Sequence, residues 1–409
     1  MKIAHVTLYP PRGGKHVSTS GVASYSKNLV TGLAEDGDQQ VVICEKTIDD
    51  ENYREDGIEV HRVFKKDPTF IVKIHTALKQ ASPDVVHIQQ ELALFGGIAT
   101  AYLLQWLVFL WRDRTVITLH GVVDPNKIDA AFVKENNSKL PVWLVRLAFK
   151  IIYLPLVRWP AKIIVHEEYF KKILIKSYGV RPEKIVVVPH GVEPLQTTDQ
   201  DDARQELGVP AKANVALFMG YATGYKGLDL LIEGFARYAE QNKNAYLLIG
   251  AGKHPKLHDD PTYLKEYARL QQKAALLLPK TQYDWRGFID EKDITAYYSA
   301  SDVSLYPYTT AMSSSGPMSL AIGYEKPFLV SSAFTTIFEK YPRLIFERTP
   351  EGLSEKLSYF FTNQSDYDDF SRVLKNDRSW RRVAVKTAQA YQTIVTEGAY
   401  EGEKDITTR

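Results

Sequence analysis

Tyr306–Pro327, YPYTTAMSSSGPMSLAIGYEKP, holds a strand end, a turn and a helix start in one short stretch. The apolar run Val303–Tyr306 stops at Tyr306. Ser313-Ser314-Ser315-Gly316-Pro317 follows, and an apolar helix Met318–Tyr324 begins behind it. Serine is a favoured N-cap and proline a favoured first helical residue, so the start of the helix is signalled twice. The free N–H groups of its first turn, three hydroxyls and a glycine that permits close approach suit an anion; an ordinary capped helix uses the same letters.

The same order of strand, turn and helix recurs outward in both directions. Toward the N-terminus, Lys2–Tyr9, Gln40–Glu45, Val60–Phe64, Val85–Ile88, Val116–Leu119, Lys162–His166 and Lys184–Pro189 are strand candidates, with a helical pattern from about Gly21 to Ala34. A second series contains Val215–Gly220, Ala245–Gly250, Tyr283–Gly287, Val303–Tyr306 and Phe328–Ser331, with helices at Gly227–Gln241 and Pro261–Leu278. Continuous apolar strands alternating with helices imply parallel sheets covered on both faces. The expected fold is α/β: two doubly wound, Rossmann-like domains facing a cleft, 1–192 and 203–378, joined by the polar Glu193–Asp202. A last helix, 379–400, has apolar residues at helical spacing (Trp380, Val383, Val385, Ala388, Tyr391, Ile394).

Composition narrows the function classes. With 409 residues, 44% apolar and 24% charged, the chain is an ordinary globular protein large enough for two cores. Lys+Arg exceed Asp+Glu by 51 to 49, so it is no general polyanion binder, and no nucleic-acid partner is expected. The single cysteine, Cys44, excludes an internal disulfide framework and a cysteine-built zinc site. The N-terminal residues carry no signal-peptide pattern, and a cytoplasmic location is expected. Leu140–Val157 is long enough to span a bilayer, but Arg146 and Lys150 lie in its middle and Pro141 and Pro155 interrupt it.

Ligands of such sheets bind beyond the carboxyl ends of strands. Four further segments lie there. In Phe218–Gly227, FMGYATGYKG, Lys226 sits at a helix start, where the positive dipole disfavours a cation unless an anionic ligand lies between; a solvated surface lysine is the alternative. The Gly13, Gly14 and Gly21 loop carries His16, Ser18, Thr19 and Ser20, without the spacing of a dinucleotide fingerprint. His120 follows a strand directly. Gln89-Gln90-Glu91 suits hydroxyls of a ligand or a loop cap, and His190-Gly191 suits a ligand or a hinge.

Together these pieces resemble the retaining glycosyltransferases of family 4, which have the GT-B fold. The resemblance runs nearly end to end through GVASYSKNLVTGLA, PDVVHIQQELALFGG, VITLHG, EKIVVVPHGVE, FMGYATGYKGLDLLIEGF, LLIGAG, WRGFIDEKDITAYYSASDVSLYPY and SSSGPMSLAIGYEKPFLVSS. It implies transfer of a sugar from a nucleotide-diphospho donor with retained configuration, with no cofactor and no bound metal. It implies that Lys226 contacts the donor diphosphate and His120 lies near the transferred sugar. Gly14 and Gly21 would belong to a loop closing over the substrates, Gly287 and Phe288 to the nucleobase region, and the last helix would cross back onto the N-terminal domain.

Two departures stand out. Where the family often has arginine after the glycine matched by Gly220, this chain has Tyr221. Where it often has two glutamates eight apart, alignment on Pro327 gives Met312 and Leu320, with Glu325 five residues too late. The family includes a serine-rich version of this segment, which SSSGP resembles. The expected donor contacts are therefore Tyr221 and Ser313–Gly316 (Ser313, Ser314, Ser315, Gly316), with Gln90 and Glu91 on the acceptor side. The expected acceptor is a glycan or a lipid-linked sugar. Residues 139–159, with Arg146, Lys150 and Arg158 among Trp143, Leu147, Ile151 and Leu154, suit either a peripheral membrane contact or a packed helix with snorkelling cations. A non-catalytic subunit of the same fold is the rival reading.

Overall fold

A computed structural model describes residues 1–14, 21–47, 52–92, 94–135, 139–255, 257–311 and 315–407. The chain divides into two compact units, Met1–Gly191 with the C-terminal residues from Trp380, and Val192–Ser379.

The first unit holds an eight-stranded sheet of β1 (Lys2–Thr7), β2 (Gln39–Glu45), β3 (Tyr53–Glu55), β4 (Ile58–Phe64), β5 (Val85–Gln90), β6 (Thr115–Leu119), β7 (Lys162–Val165) and β8 (Ile185–Val187). Their order is β3-β4-β2-β1-β5-β6-β7-β8, parallel except for the β3–β4 hairpin. The second unit holds β9 (Asn214–Tyr221), β10 (Ala245–Gly252), β11 (Tyr283–Trp285), β12 (Val303–Tyr306), β13 (Phe328–Ser331) and β14 (Ile345–Phe346), ordered β11-β10-β9-β12-β13-β14 and all parallel. Both sheets are Rossmann-like. Their central strands are buried on both faces, which is why they read as unbroken apolar runs.

Three boundaries differ from the sequence reading for physical reasons. Strand β5 continues through Gln89 and Gln90, because they pair with Thr118 and Leu119 of β6. The polar stretch Glu193–Asp202 is no free linker: Leu195 N donates to Gly323 O, and Asp199 caps a helix Gln200–Leu207 through Asp201 N and Asp202 N. The short β3 and β14 have too few residues to show a period.

Helices cover both faces of each sheet. In the second unit, Leu231, Ile232 and Phe235 of Leu228–Gln241 are fully buried, each burial stabilising by about 1.5–3 kcal/mol. In the first unit, Trp380–Thr407 packs on Gly21–Ala34. Gly32 permits the approach, since a Cβ there would come within 3.1 Å of Ala384 Cβ. His87 Nδ1 and Tyr391 Oη, 2.6 Å apart, tie this last helix to β5.

Candidate active site

In the second unit the carboxyl end of β9 turns sharply. Gly220 has φ +139° and Gly227 φ +69°, and between them Gly224–Lys226 forms a single 3-10 turn. A Cβ on Gly227 would lie 2.0 Å from Pro307 O, so only glycine allows this turn to press against the chain leaving β12. Thr309 N donates to Tyr225 O at 2.7 Å, fastening the two loops.

Lys226 does not stand at the first turn of the α-helix. It precedes Gly227, with its aliphatic stem buried and only 7% of the residue exposed. The solvated-lysine alternative is therefore excluded. Its ammonium lies 5.3 Å from the Tyr308 ring centre, and among the described residues it makes no ion pair or hydrogen bond. Burial pushes its pKa down to about 8.

Tyr308 links this lysine to the stretch where the sequence reading began, since its Oη lies 3.1 Å from Ser315 Oγ. Ser315 is the N-cap of Gly316–Gly323, yet its hydroxyl makes no capping bond. The expected serine cap is thus replaced by the tyrosine contact, and the first-turn N–H groups receive no cap from that side chain. A Cβ on Gly316 would meet nothing within 4 Å, so the approach is open. Ser313, Ser314 and Met312 lie outside the described residues, as do His16, Ser18, Thr19 and Ser20. Leu320 is an apolar member of the helix, and Glu325 is committed to Lys375 at 2.8 Å.

Tyr221 and Phe288 come together at the ends of β9 and β11. Their rings stack at 6.1 Å and 13°, with His254 edge-on to Tyr221 at 5.3 Å. Phe288 is 62% exposed, and Gly252 makes room for its ring. Gly287, at φ +73°, turns the chain there. This gives an exposed aromatic surface at the same strand ends as Lys226, of the kind on which a planar base stacks.

In the first unit His120 lies at the carboxyl end of β6, half-buried. Its Nε2 is 2.8 Å from Gln89 Oε1, its Nδ1 is 3.2 Å from His166 Nε2, and His166 Nδ1 donates to Val188 O at 3.0 Å. Desolvation first, then His166, His190 and His87, holds the His120 imidazole well below its usual pKa. Tyr25 meets His120, His166, His190 and Trp380 with ring centres 4.8–5.2 Å apart. The His190-Gly191 corner is packed rather than open, because a Cβ on Gly191 would strike the Trp380 ring.

Gln90 is buried, with an amide oxygen that has no hydrogen-bond partner among the described residues, and Glu91 is exposed beyond the strand. The amide beside His120 is thus Gln89, not Gln90. Gly14 N donates to Pro11 O, and Gly14 O accepts from Lys27 Nζ at 2.9 Å; Gly21 is the exposed first residue of its helix. Sequence reasoning missed Gln89 as the partner of His120, and Tyr25, His166 and Tyr308 altogether. Only the strand-end rule could have signalled His166, which immediately follows β7.

Among the described residues no group of three or more His, Cys, Asp and Glu side chains is placed to hold a metal ion. Nor, among them, is any helix long and apolar enough to cross a membrane.

The family model described as Glycosyltransferase Family 4 matches residues 19–195, and the model described as Glycosyl transferases group 1 matches residues 199–376. The mannosylfructose-phosphate synthase of Agrobacterium fabrum is 27% identical over 199 residues, 47% of this chain and 40% of that protein. A D-inositol 3-phosphate glycosyltransferase of Kineococcus radiotolerans is 38% identical over 133 residues, 31% of this chain and 29% of that protein. The matches thus span less than half the length of these relatives. Among solved structures, sucrose-phosphate synthase from Thermosynechococcus elongatus superposes with TM-score 0.69 at 16% identity, covering 97% of this chain and 99% of that one. Anabaena HepE in complex with UDP-glucose gives 0.62 at 16% identity, over 97% and 100%. The structural likenesses show a shared fold, GT-B.

Proposed function

This chain belongs to the family 4 glycosyltransferases, and from that premise we propose that it is a retaining hexosyltransferase. Its donor is a nucleoside-diphosphate sugar and its acceptor a glycan or lipid-linked sugar of cell-envelope or polysaccharide biosynthesis, met in the cytoplasm at the inner face of the membrane. The observation that carries the reading is Lys226, a buried ammonium without a carboxylate among the described residues, 5.3 Å from the tyrosine that touches the N-cap of Gly316–Gly323. A buried cation without a partner is costly in the empty protein. A diphosphate supplies the missing charge. HepE, of the same fold, has been crystallised with UDP-glucose, in keeping with such a donor.

In this reading Lys226 and the amides at Ser315–Gly316 stabilise the charge that grows on the departing nucleoside diphosphate. Tyr221 and Phe288 carry the base. His120, held neutral and oriented by Gln89 and His166, would pack beside the transferred sugar. The acceptor oxygen attacks from the face the diphosphate leaves, and its proton passes to a donor phosphate oxygen, so no metal is required. Positioning and electrostatics supply most of the rate.

Thermal-shift measurements against UDP, GDP, ADP and dTDP test this directly. A diphosphate at a hundred times its Kd should stabilise the protein by about 2.7 kcal/mol. No shift with any of the four would refute it. The absence of a glutamate at Leu320, with Glu325 occupied by Lys375, favours a second reading as a non-catalytic subunit. That reading requires no hydrolysis of any bound donor.

A further inference from the structure

The helices Ile98–Leu110 and Val142–Arg158 of the first unit turn large apolar side chains outward: Trp106 (59% exposed), Phe109 and Leu110 on one, Trp143 (65%), Leu147, Ile151 and Leu154 on the other. The two sets form one face. Gln105 Nε2 donates to Ile151 O and Ile152 O at 3.2 and 3.3 Å, and the Phe109 ring lies 5.1 Å from that of Trp159. Trp143, Leu147, Ile151 and Leu154 recur at helical spacing on the side opposite the buried Val145, Ile152 and Leu156. The second helix therefore has an apolar stripe for the core and another that the fold leaves uncovered.

Charge says what covers it. Arg146, Lys150 and Arg158 are exposed among those outward residues, and neither helix contains an Asp or Glu. At the end of the second helix, Lys184 Nζ donates to Arg158 O, and its pKa is pushed down to about 8 by burial and then by Arg181, Arg158 and Lys162. Basic residues thus gather at this rim; among the described residues Asp113 pairs with Arg112 and Glu183 with Arg181, and Arg146 Nε also donates to Ile128 O, next to Asp129. A two-fold interface with a second copy would set these cations against their own counterparts, and the buried core of a protein interface is depleted in charge. Aromatic and aliphatic tips interleaved with cations suit the headgroup layer of an anionic bilayer.

We propose that this two-helix face, Trp106 to Leu110 with Trp143 to Arg158, docks flat on an anionic lipid surface. The apolar tips enter the headgroup boundary and the cations meet lipid phosphates. The proposal deepens the reading above, since a lipid-linked acceptor is reached from the bilayer.

Flotation of the full chain with vesicles tests it, using phosphatidylglycerol mixed into phosphatidylcholine, and phosphatidylcholine alone. The wild type floats with the anionic vesicles only, and high salt weakens this. The pairs Trp143→Ser with Leu147→Ser, and Arg146→Glu with Lys150→Glu, each lower the floated fraction about tenfold. Both keep the wild-type circular dichroism and nucleotide thermal shift. Wild-type protein that stays in the bottom fraction overturns the proposal, as does undiminished flotation of both pairs. A dimer lost on Trp143→Ser also overturns it, showing a second copy as the occupant. Flotation is read without nucleotide. Its failure beside an intact nucleotide shift therefore leaves the transferase reading standing, while flotation without donor binding removes that reading alone.

Discussion

Replacing Lys226 by methionine keeps most of the side-chain volume and removes the charge. The native ammonium titrates at about 8, against a normal value of 10.5, because burial disfavours its charged form. The unfolded chain therefore holds this proton more tightly than the folded one. The wild type is penalised most below pH 8, and the penalty fades as pH rises from 8 toward 10.5. Its size at pH 7 is at most about 3.5 kcal/mol, since each pH unit of displacement corresponds to about 1.4 kcal/mol. Lys226→Met should therefore raise the melting temperature of the empty protein, by up to about 10 °C for a unit of this size. The gain should shrink as the comparison moves from pH 7 to pH 10. The same variant should lose the diphosphate-induced shift and most of its turnover, a charge-assisted contact being worth about 1.5–3 kcal/mol. Scanning calorimetry of both proteins at several pH values, with and without nucleoside diphosphate, reads all three effects. A methionine variant that melts lower than wild type at pH 7, or keeps its nucleotide shift, would refute the role given to Lys226.

Above pH 8 the wild-type affinity for a nucleoside diphosphate should fall as Lys226 loses its proton, and isothermal titration from pH 7 to pH 9.5 should show proton uptake on binding. Tyr221→Ala and Phe288→Ala should each weaken nucleoside-diphosphate binding by about 1 kcal/mol or more while leaving inorganic pyrophosphate binding unchanged, because the proposed role of the stacked pair is to carry the base and not the phosphates. Gln89→Leu should lower kcat about tenfold with little change in donor affinity, since it removes the amide beside His120 Nε2; restoration by Gln89→Glu would identify the orienting contact. Gly227→Ala should destabilise the second unit by more than about 2 kcal/mol in urea unfolding, because its Cβ has no room against Pro307 O.

The helix Gly21–Ala34 and the strands Val303–Tyr306 and Phe328–Ser331 were legible to the residue, because each has a local apolar pattern and a glycine or proline near its ends. Other boundaries were not. Gln89 and Gln90 look like a polar loop until β6 pairs with them, and that pairing joins residues about thirty positions apart. Of the candidate residues, Lys226, Tyr221 and Phe288 could be found at strand ends by rule. Their company could not: Tyr308 beside Lys226 and Ser315, and His166 beside His120, are set by which strands are neighbours in the sheet.

Period and punctuation along the chain thus determined that there would be two parallel-sheet units, roughly where they divide, and which segments end in turns able to meet a ligand. Only the tertiary structure decided that Lys226 is buried rather than solvated, that Ser315 serves Tyr308 instead of its own helix, and that two helices share an uncovered apolar and cationic face. The reason is physical. Hydrogen-bonding period and turn chemistry act over a few residues, whereas desolvation and the choice of partner are properties of the space that distant segments enclose.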